Sequence, residues 1–327
     1  MGNISSFGRI GQAVAIIVFV GLAAFAVWWR FEGEEAGEPE PPAVAIANAH
    51  DTATDPESPL KPAADDPGYA RTGSNAVAAS YQEQFETAAD LAPFAVQMHV
   101  QALENDDAAQ YWLSRALRRC GVDYDTVFVV DPAMPDKPPL SLDEALADEE
   151  ANPRLGADEV RKIHGQCAQL RRADPETLGN EAMWLRKSAS SGYPLAQVSR
   201  AAEIAVGSDA EDSRSEAREL MISALRSGDA EVIRQTGAVA QALARGESER
   251  ERQEWVWEVA GCQRGADCGP ATSWVRAMCA ADRRCQAHET AIDLIRRRVG
   301  AQMPEIEEEA RRLNARIDAK AWADLGL

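Results

Sequence analysis

The chain has 327 residues, of which 45% are hydrophobic, and its 34 basic against 53 acidic side chains give a formal charge of -19. A sequence pI near 4.7 argues against nucleic acid as a partner, because phosphate backbones bind to basic surfaces. An Ala-rich composition with few β-branched runs points to an all-α fold, one large domain or two ordinary ones behind a non-globular leader.

Ile10 to Trp29 contains no charged residue. Twenty helical residues span about 30 Å, the thickness of a bilayer's hydrocarbon core. Arg9 precedes the run and Trp28-Trp29-Arg30-Phe31 closes it as an interfacial aromatic girdle. Residues 1–31 therefore read as a single transmembrane anchor with a short cytoplasmic N-terminus. The expected location is a bacterial inner membrane with the body in the periplasm. The rival reading is a signal peptide cut near Ala26, after the small-x-small Ala24-Phe25-Ala26, which secretes the body. Both readings place the body where thiols oxidise.

Residues 32–75 carry seven prolines and ten acids against only Lys61 and Arg71. Such a segment buries too little apolar surface to offset its ordering entropy and reads as a disordered spacer.

Residues 76–247 are expected to be helical. Ala76 to Asp90 and Pro93 to Glu104 form the first two helices, burying Phe85, Phe94, Met98 and Leu103. Asp106 or Asp107 caps a third, Ala108 to Arg119, which Cys120 closes. Residues 121–152 then interrupt the pattern. Val127 to Val130 is a β-type run too isolated for a sheet, prolines force an irregular path, and Ser141 with Glu144 makes a capping box. Helices follow over Asp158 to Arg172, from Pro175, over 181–203 as a helix–turn–helix pair, Ser213 to Arg226 and Ala230 to Ala244. The Cys-rich region 248–327 continues with Ser248 capping Glu249 to Ala260. Trp255 and Trp257, two apart, cannot share one helix face, so one packs and the other lies half exposed. Pro270, Gln286 and Pro304 open the last three helices.

The pair at 181–203 has an echo. Gly228 follows Gly192 by 36 residues. Trp184 and Leu220 stand eight upstream of each glycine, Ser188 and Ala224 four upstream, Ala189 and Leu225 three upstream, with Ala196 four beyond Gly192. Cys120 can also take the glycine place, with Trp112 and Ala116 at matching offsets. This pattern resembles the Sel-one-like branch of the tetratricopeptide-type helical repeats, over about two units. Glu181 and Ser188 depart from that family's alanines, and Leu220 from its Trp. The resemblance implies an α-solenoid-like array of antiparallel helical hairpins that offers a surface to protein partners.

All six cysteines lie beyond residue 119. Cys262-x5-Cys268-x10-Cys279-x5-Cys285 has spacings too long for structural zinc pairs, and neither a thioredoxin-like nor a haem motif occurs. Disulfides are the expectation: Cys262–Cys268 and Cys279–Cys285 locally, with crossed pairing in this quartet open, and Cys120–Cys167 across the insert. His50, His99, His164 and His288 stand singly, and no catalytic or phosphate-binding motif is present. Asn180, Glu181, Tyr193 and Arg200 are groove candidates without a distinguishing pattern. No catalytic residue, metal or cofactor is implied. The expected role is protein–protein interaction, with an unidentified, cell-envelope partner. The alternatives are an envelope-polymer hydrolase with an acidic cleft near 121–152, or a thiol oxidoreductase using the C-terminal cysteines.

Overall fold

The computed structural model describes residues 72–325 apart from 130–137, 173–174, 209, 245, 282–284 and 287. The expected anchor, with Ile10, Trp28 and Trp29, and the spacer up to residue 71 lie outside the described residues. Among the described residues every regular element is helical and none is a strand. No described helix is long and apolar enough to cross a membrane.

Helix α1 (Thr72–Thr87) leads through Asp90, whose carboxylate caps α2 (Leu91–Leu103) by accepting from the Ala92 N–H at 3.0 Å. Asp106 caps α3 (Asp107–Arg118) through the Ala109 N–H and also accepts from the Tyr81 hydroxyl at 3.0 Å, pinning α1 to the start of α3. Phe85, Phe94, Met98 and Trp112 are buried, but Leu103 is 61% exposed. The reason is angular. Leu91, Phe94, Ala95, Met98 and Ala102 already occupy the core face of α2, and Leu103 falls on the opposite side.

Cys120 does not close α3. The helix widens into a π turn, Arg119–Asp123, and runs on as α4 (Tyr124–Phe128). Val127 and Phe128 are therefore buried helical residues, not a strand, and Tyr124 stacks on Phe128 at 4.4 Å. An apolar run without a neighbouring strand satisfies its backbone by coiling and its side chains by turning inward. The stretch 130–137, most of the expected irregular path, lies outside the described residues; the described residues of 121–152 are largely helical. They include α5 (Leu142–Ala151), which opens on the Ser141–Glu144 capping box. Buried Glu149 then accepts from the backbone N–H groups of Leu155 at 2.7 Å and Gly156 at 2.8 Å, folding the chain into α6 (Ala157–Cys167). Cys167 is bonded to Cys120, with their Cα atoms 5.1 Å apart.

A short helix, α7 (Pro175–Leu178), precedes α8 (Glu181–Ser190), α9 (Pro194–Gly207), α10 (Glu211–Leu225) and α11 (Ala230–Leu243). The α8–α9 and α10–α11 turns each hinge on a left-handed glycine, Gly192 at φ 91° and Gly228 at φ 67°. A residue with a Cβ adopts that backbone only with strain, so both glycines act as helix stops. Two core clusters meet in α9. One runs from Tyr81 to Ala196, the other from Val198 to Leu325, and Leu195 packs against both.

Helix α12 (Glu247–Gln263) lies against α11 and, on another side, against α15 (Met303–Asp318). That position corrects the expectation for its tryptophans. Trp255 is 6% and Trp257 0% exposed. Trp257 rests on Gly237 of α11, while Trp255 meets Trp274 of α13 (Ser273–Ala281) edge-on at 6.2 Å. A helix with neighbours on several sides buries residues two apart. The last two cysteine pairs, Cys262–Cys268 and Cys279–Cys285, are the local ones, and they pack with Val275 and with Ala291 and Leu294 of α14 (Ala291–Val299) in a third, small cluster.

Candidate functional site

The repeat-like residues set the spacing of the helices. Trp184, Ala189 and Ala196 are buried, as is Ala224, while Leu220 is only partly covered. Trp184 donates from its indole to the Leu178 carbonyl at 2.7 Å and meets His99 edge-on at 5.7 Å. The two departures in the first unit, Ser188 and Glu181, both face α3. The Ser188 hydroxyl, fully buried, donates to the Asp107 carbonyl at 2.7 Å, and Glu181 pairs with Arg118 at 3.1 Å. Polar residues stand where alanines were expected because α8 packs on a helix end there. Cys120, in its π turn and bonded to Cys167, does not act as a turn residue.

The groove candidates do not converge on one ligand site. Asn180 caps α8 by accepting from the Met183 N–H, and Tyr193 is buried against Tyr111. Glu181 and, through Glu203, Arg200 gather around Arg118 with Asp123 in a surface ion cluster. His164 packs on the Phe128 ring at 5.6 Å. His50 lies outside the described residues.

The site that sequence reasoning missed is a cleft of about 270 Å³ between α9, α11, α12 and α13, lined by more apolar than polar surface. None of its lining residues comes from 121–152. Val198 and Ala202 of α9 supply an apolar wall beside Ser199; Arg234, Gln235 and Gln241 of α11, Glu254 and Glu258 of α12 and Trp274 of α13 supply most of the rest. Two helical glycines make the cleft possible. A Cβ at Gly261 would stand 2.6 Å from the Arg234 Cβ, and one at Gly237 would stand 3.2 Å from the Trp257 Cβ. The close approach brings Arg234 onto Glu258, with Nη1 at 3.3 Å from Oε1. A signal was present in the sequence: glycine inside a helix costs about 1 kcal/mol against alanine, and close packing is a common reason to keep it.

Glu254 and Glu258 are one turn apart on the same face of α12. Burial pushes both carboxyls above the usual range. For Glu258 burial dominates, Arg234 pulls back, and Glu231 and Glu254 push further, leaving it at about 7. For Glu254 burial again leads, opposed by hydrogen bonds from the Trp274 indole and from the Gln241 amide at 3.0 Å. Arg234, held by Glu231 and Glu258 together, stays firmly protonated.

Helix α13 also reaches the other half of the molecule. Arg276 pairs with the buried Glu159 of α6 at 3.2 Å, and Arg119 holds the same carboxylate. Burial opposes the Glu159 charge, but Arg119 and then Arg276 outweigh it and lower its pKa. Two sets of potential metal ligands, Glu258 with Cys262 and Cys268, and Glu289 with Cys279 and Cys285, contain only sulfurs already paired in disulfides. Such sulfurs are poor donors, because metals bind the thiolate. Comparison with known proteins gives no match: no family model fits the chain, and no curated protein and no solved structure is significantly similar to it.

Proposed function

We propose that this chain is an extracytoplasmic helical-repeat protein that binds a protein partner of the cell envelope. In this reading residues 10–29 tether it to the inner membrane and the acidic, Pro-rich spacer holds the body away from the surface. The helix pairs α8–α9 and α10–α11, turned at Gly192 and Gly228, are its two repeat units of Sel-one-like type. Pairing of all six cysteines supports an oxidising compartment.

The observation that carries the binding role is an apolar stripe on α2. Val96, Val100 and Leu103, at helical spacing on the side away from the core, are 56%, 51% and 61% exposed. An apolar stripe of this kind suits the apolar face of a partner helix. The hydrolase alternative has less support, since an acid/base pair needs environments that push two carboxyl pKa values apart, whereas burial raises both Glu254 and Glu258.

The test is site-specific photo-crosslinking in intact cells. A photoreactive residue at 96, 100 or 103 is expected to give one discrete protein adduct, absent when the probe sits at exposed Arg311 on α15. Absence of an adduct from the stripe, or the same adducts from both helices, overturns the reading.

A further inference from the structure

Glu258 forms part of the cleft wall and also has sulfur neighbours. Its carboxylate and the sulfurs of Cys262 and Cys268 all lie within 4.8 Å of one another. The arrangement follows from the chain. Residues 258 and 262 are one turn apart on α12, and the backbone reverses through Gly265, at φ 94°, to bring Cys268 back alongside. We propose that Cys262–Cys268 is an exchange-active disulfide that oxidises dithiol substrates, with Glu258 giving a proton to the departing sulfur and later taking one from the substrate.

The surroundings suit repeated opening and closing. Cys262 and Cys268 are both partly exposed, whereas Cys120 and Cys167 are 5% and 0% exposed. The five-residue link is anchored independently of its sulfurs. Arg264 donates to the Asn314 side chain at 2.8 Å and to the Asn314 carbonyl at 3.0 Å, and the Cys268 carbonyl accepts from the Ala291 N–H at 2.9 Å. Breaking the S–S bond therefore leaves two thiols close together, placed to re-form it by exchange with an incoming disulfide oxidant.

A substrate thiolate attacks the Cys268 sulfur, a substrate–Cys268 mixed disulfide forms, and the Cys262–Cys268 bond breaks. Its electron pair goes to Cys262, which takes the Glu258 proton. The Glu258 carboxylate then accepts the proton of the second substrate thiol, and the resulting thiolate attacks the substrate sulfur of the mixed disulfide, releasing Cys268 as a thiolate. The substrate dithiol has lost two electrons and becomes a disulfide, and the protein disulfide has gained them. Proton transfer in both directions is efficient only for a group that titrates near the working pH. The groups that face Glu258 are Arg234 and Glu231 from α11 and Glu254 on its own helix, and with burial they leave it at about 7.

The experiment uses the oxidised full chain and dithiothreitol as the dithiol. Timed acid quenching, alkylation and peptide mass spectrometry read each disulfide separately. Cys262–Cys268 is expected to open at least tenfold faster than Cys120–Cys167. Its rate constant, expressed per reductant thiolate, should fall as pH rises through about 7, as the acid form of Glu258 is lost. Glu258→Gln should abolish that fall and slow opening at pH 6 by about a hundredfold, with Cys279–Cys285 in the same molecules unchanged. A wild-type profile flat across this range overturns the proposal without recourse to a variant, and so does an E258Q protein that opens at the wild-type rate.

Discussion

Replacing Gly261 by alanine places one methyl group in the tightest contact between α11 and α12. The new Cβ would stand 2.6 Å from the Arg234 Cβ, 2.9 Å from the Arg234 Cα and 3.0 Å from the Ala230 carbonyl oxygen. Carbon–carbon contacts relax at about 3.5–4.0 Å, so the two helices must part by roughly 1 Å. Two of the three obstacles are backbone atoms, and no rotamer change relieves them. Overpacking of this kind costs about 1–3 kcal/mol, and the better helix propensity of alanine returns about 1 kcal/mol. Because backbone atoms cannot move aside, the cost falls in the upper part of that range, and the expected net effect is a loss of about 1–2 kcal/mol. Gly165 is the matched control. In α6 its added Cβ meets only the Ala89 carbonyl oxygen at 3.8 Å, an ordinary contact. Gly165→Ala should therefore keep the propensity gain and stabilise by about 0.5–1 kcal/mol. Urea denaturation followed by circular dichroism reads both variants. A Gly261→Ala protein as stable as wild type, or a Gly165→Ala protein less stable, would refute the idea that glycine sets the spacing behind the cleft.

Removing Cys120–Cys167 as a double alanine variant should cost about 4 kcal/mol by loop entropy, against about 2 kcal/mol for Cys262–Cys268, because the cysteines are 47 residues apart in the first and 6 in the second. Equal losses in denaturant titrations would contradict that ordering. Glu258, with its pKa raised to about 7 by burial, binds its proton more tightly in the folded state. Its contribution is full below the ordinary carboxylate range and is lost as pH rises through 7. Glu258→Gln should therefore gain on wild type by on the order of 3 kcal/mol between pH 5 and pH 8, and a pH-independent difference in unfolding free energy would count against it. Glu159 has the opposite sign. Arg119 and Arg276 outweigh its burial and lower its pKa, so its stabilisation is present at neutral pH and fades as pH falls below the ordinary carboxylate range. Wild type should lose stability on acidification more steeply than Glu159→Gln, a comparison that thermal melts at pH 3 and pH 6 decide. Trp184→Ala removes a buried ring and its bond to the Leu178 carbonyl, for an expected loss of about 3–5 kcal/mol. A change under 1 kcal/mol in the same titrations would show that the ring is not part of the core.

Much of this fold is written in local patterns. Asp106, Ser141 and the glycines at 192 and 228 mark helix boundaries because caps and left-handed turns depend on residues only a few positions apart. The short spacing within Cys262–Cys268 and within Cys279–Cys285 likewise favoured local pairing. What a local pattern cannot carry is the number of neighbours a helix will have. Trp255 and Trp257 are both buried because α11, α13 and α15 surround α12, and Leu103 is exposed because nothing described covers the second apolar face of α2. Val127 and Phe128, which open the β-type run, end a helix instead, and no strand stands among the described residues to pair with them.

The cleft belongs wholly to the tertiary structure. Ser199, Arg234, Glu254 and Trp274 come from four helices spread over 76 residues, and none is unusual in its own segment. Side-chain identity and spacing determined that the chain is helical, where most helices begin and end, and which cysteines could pair. The burial that lifts Glu258 and the sulfurs brought to its side arise only when α11 and α12 close on each other, since desolvation and proximity depend on distances in space that spacing along the chain does not contain.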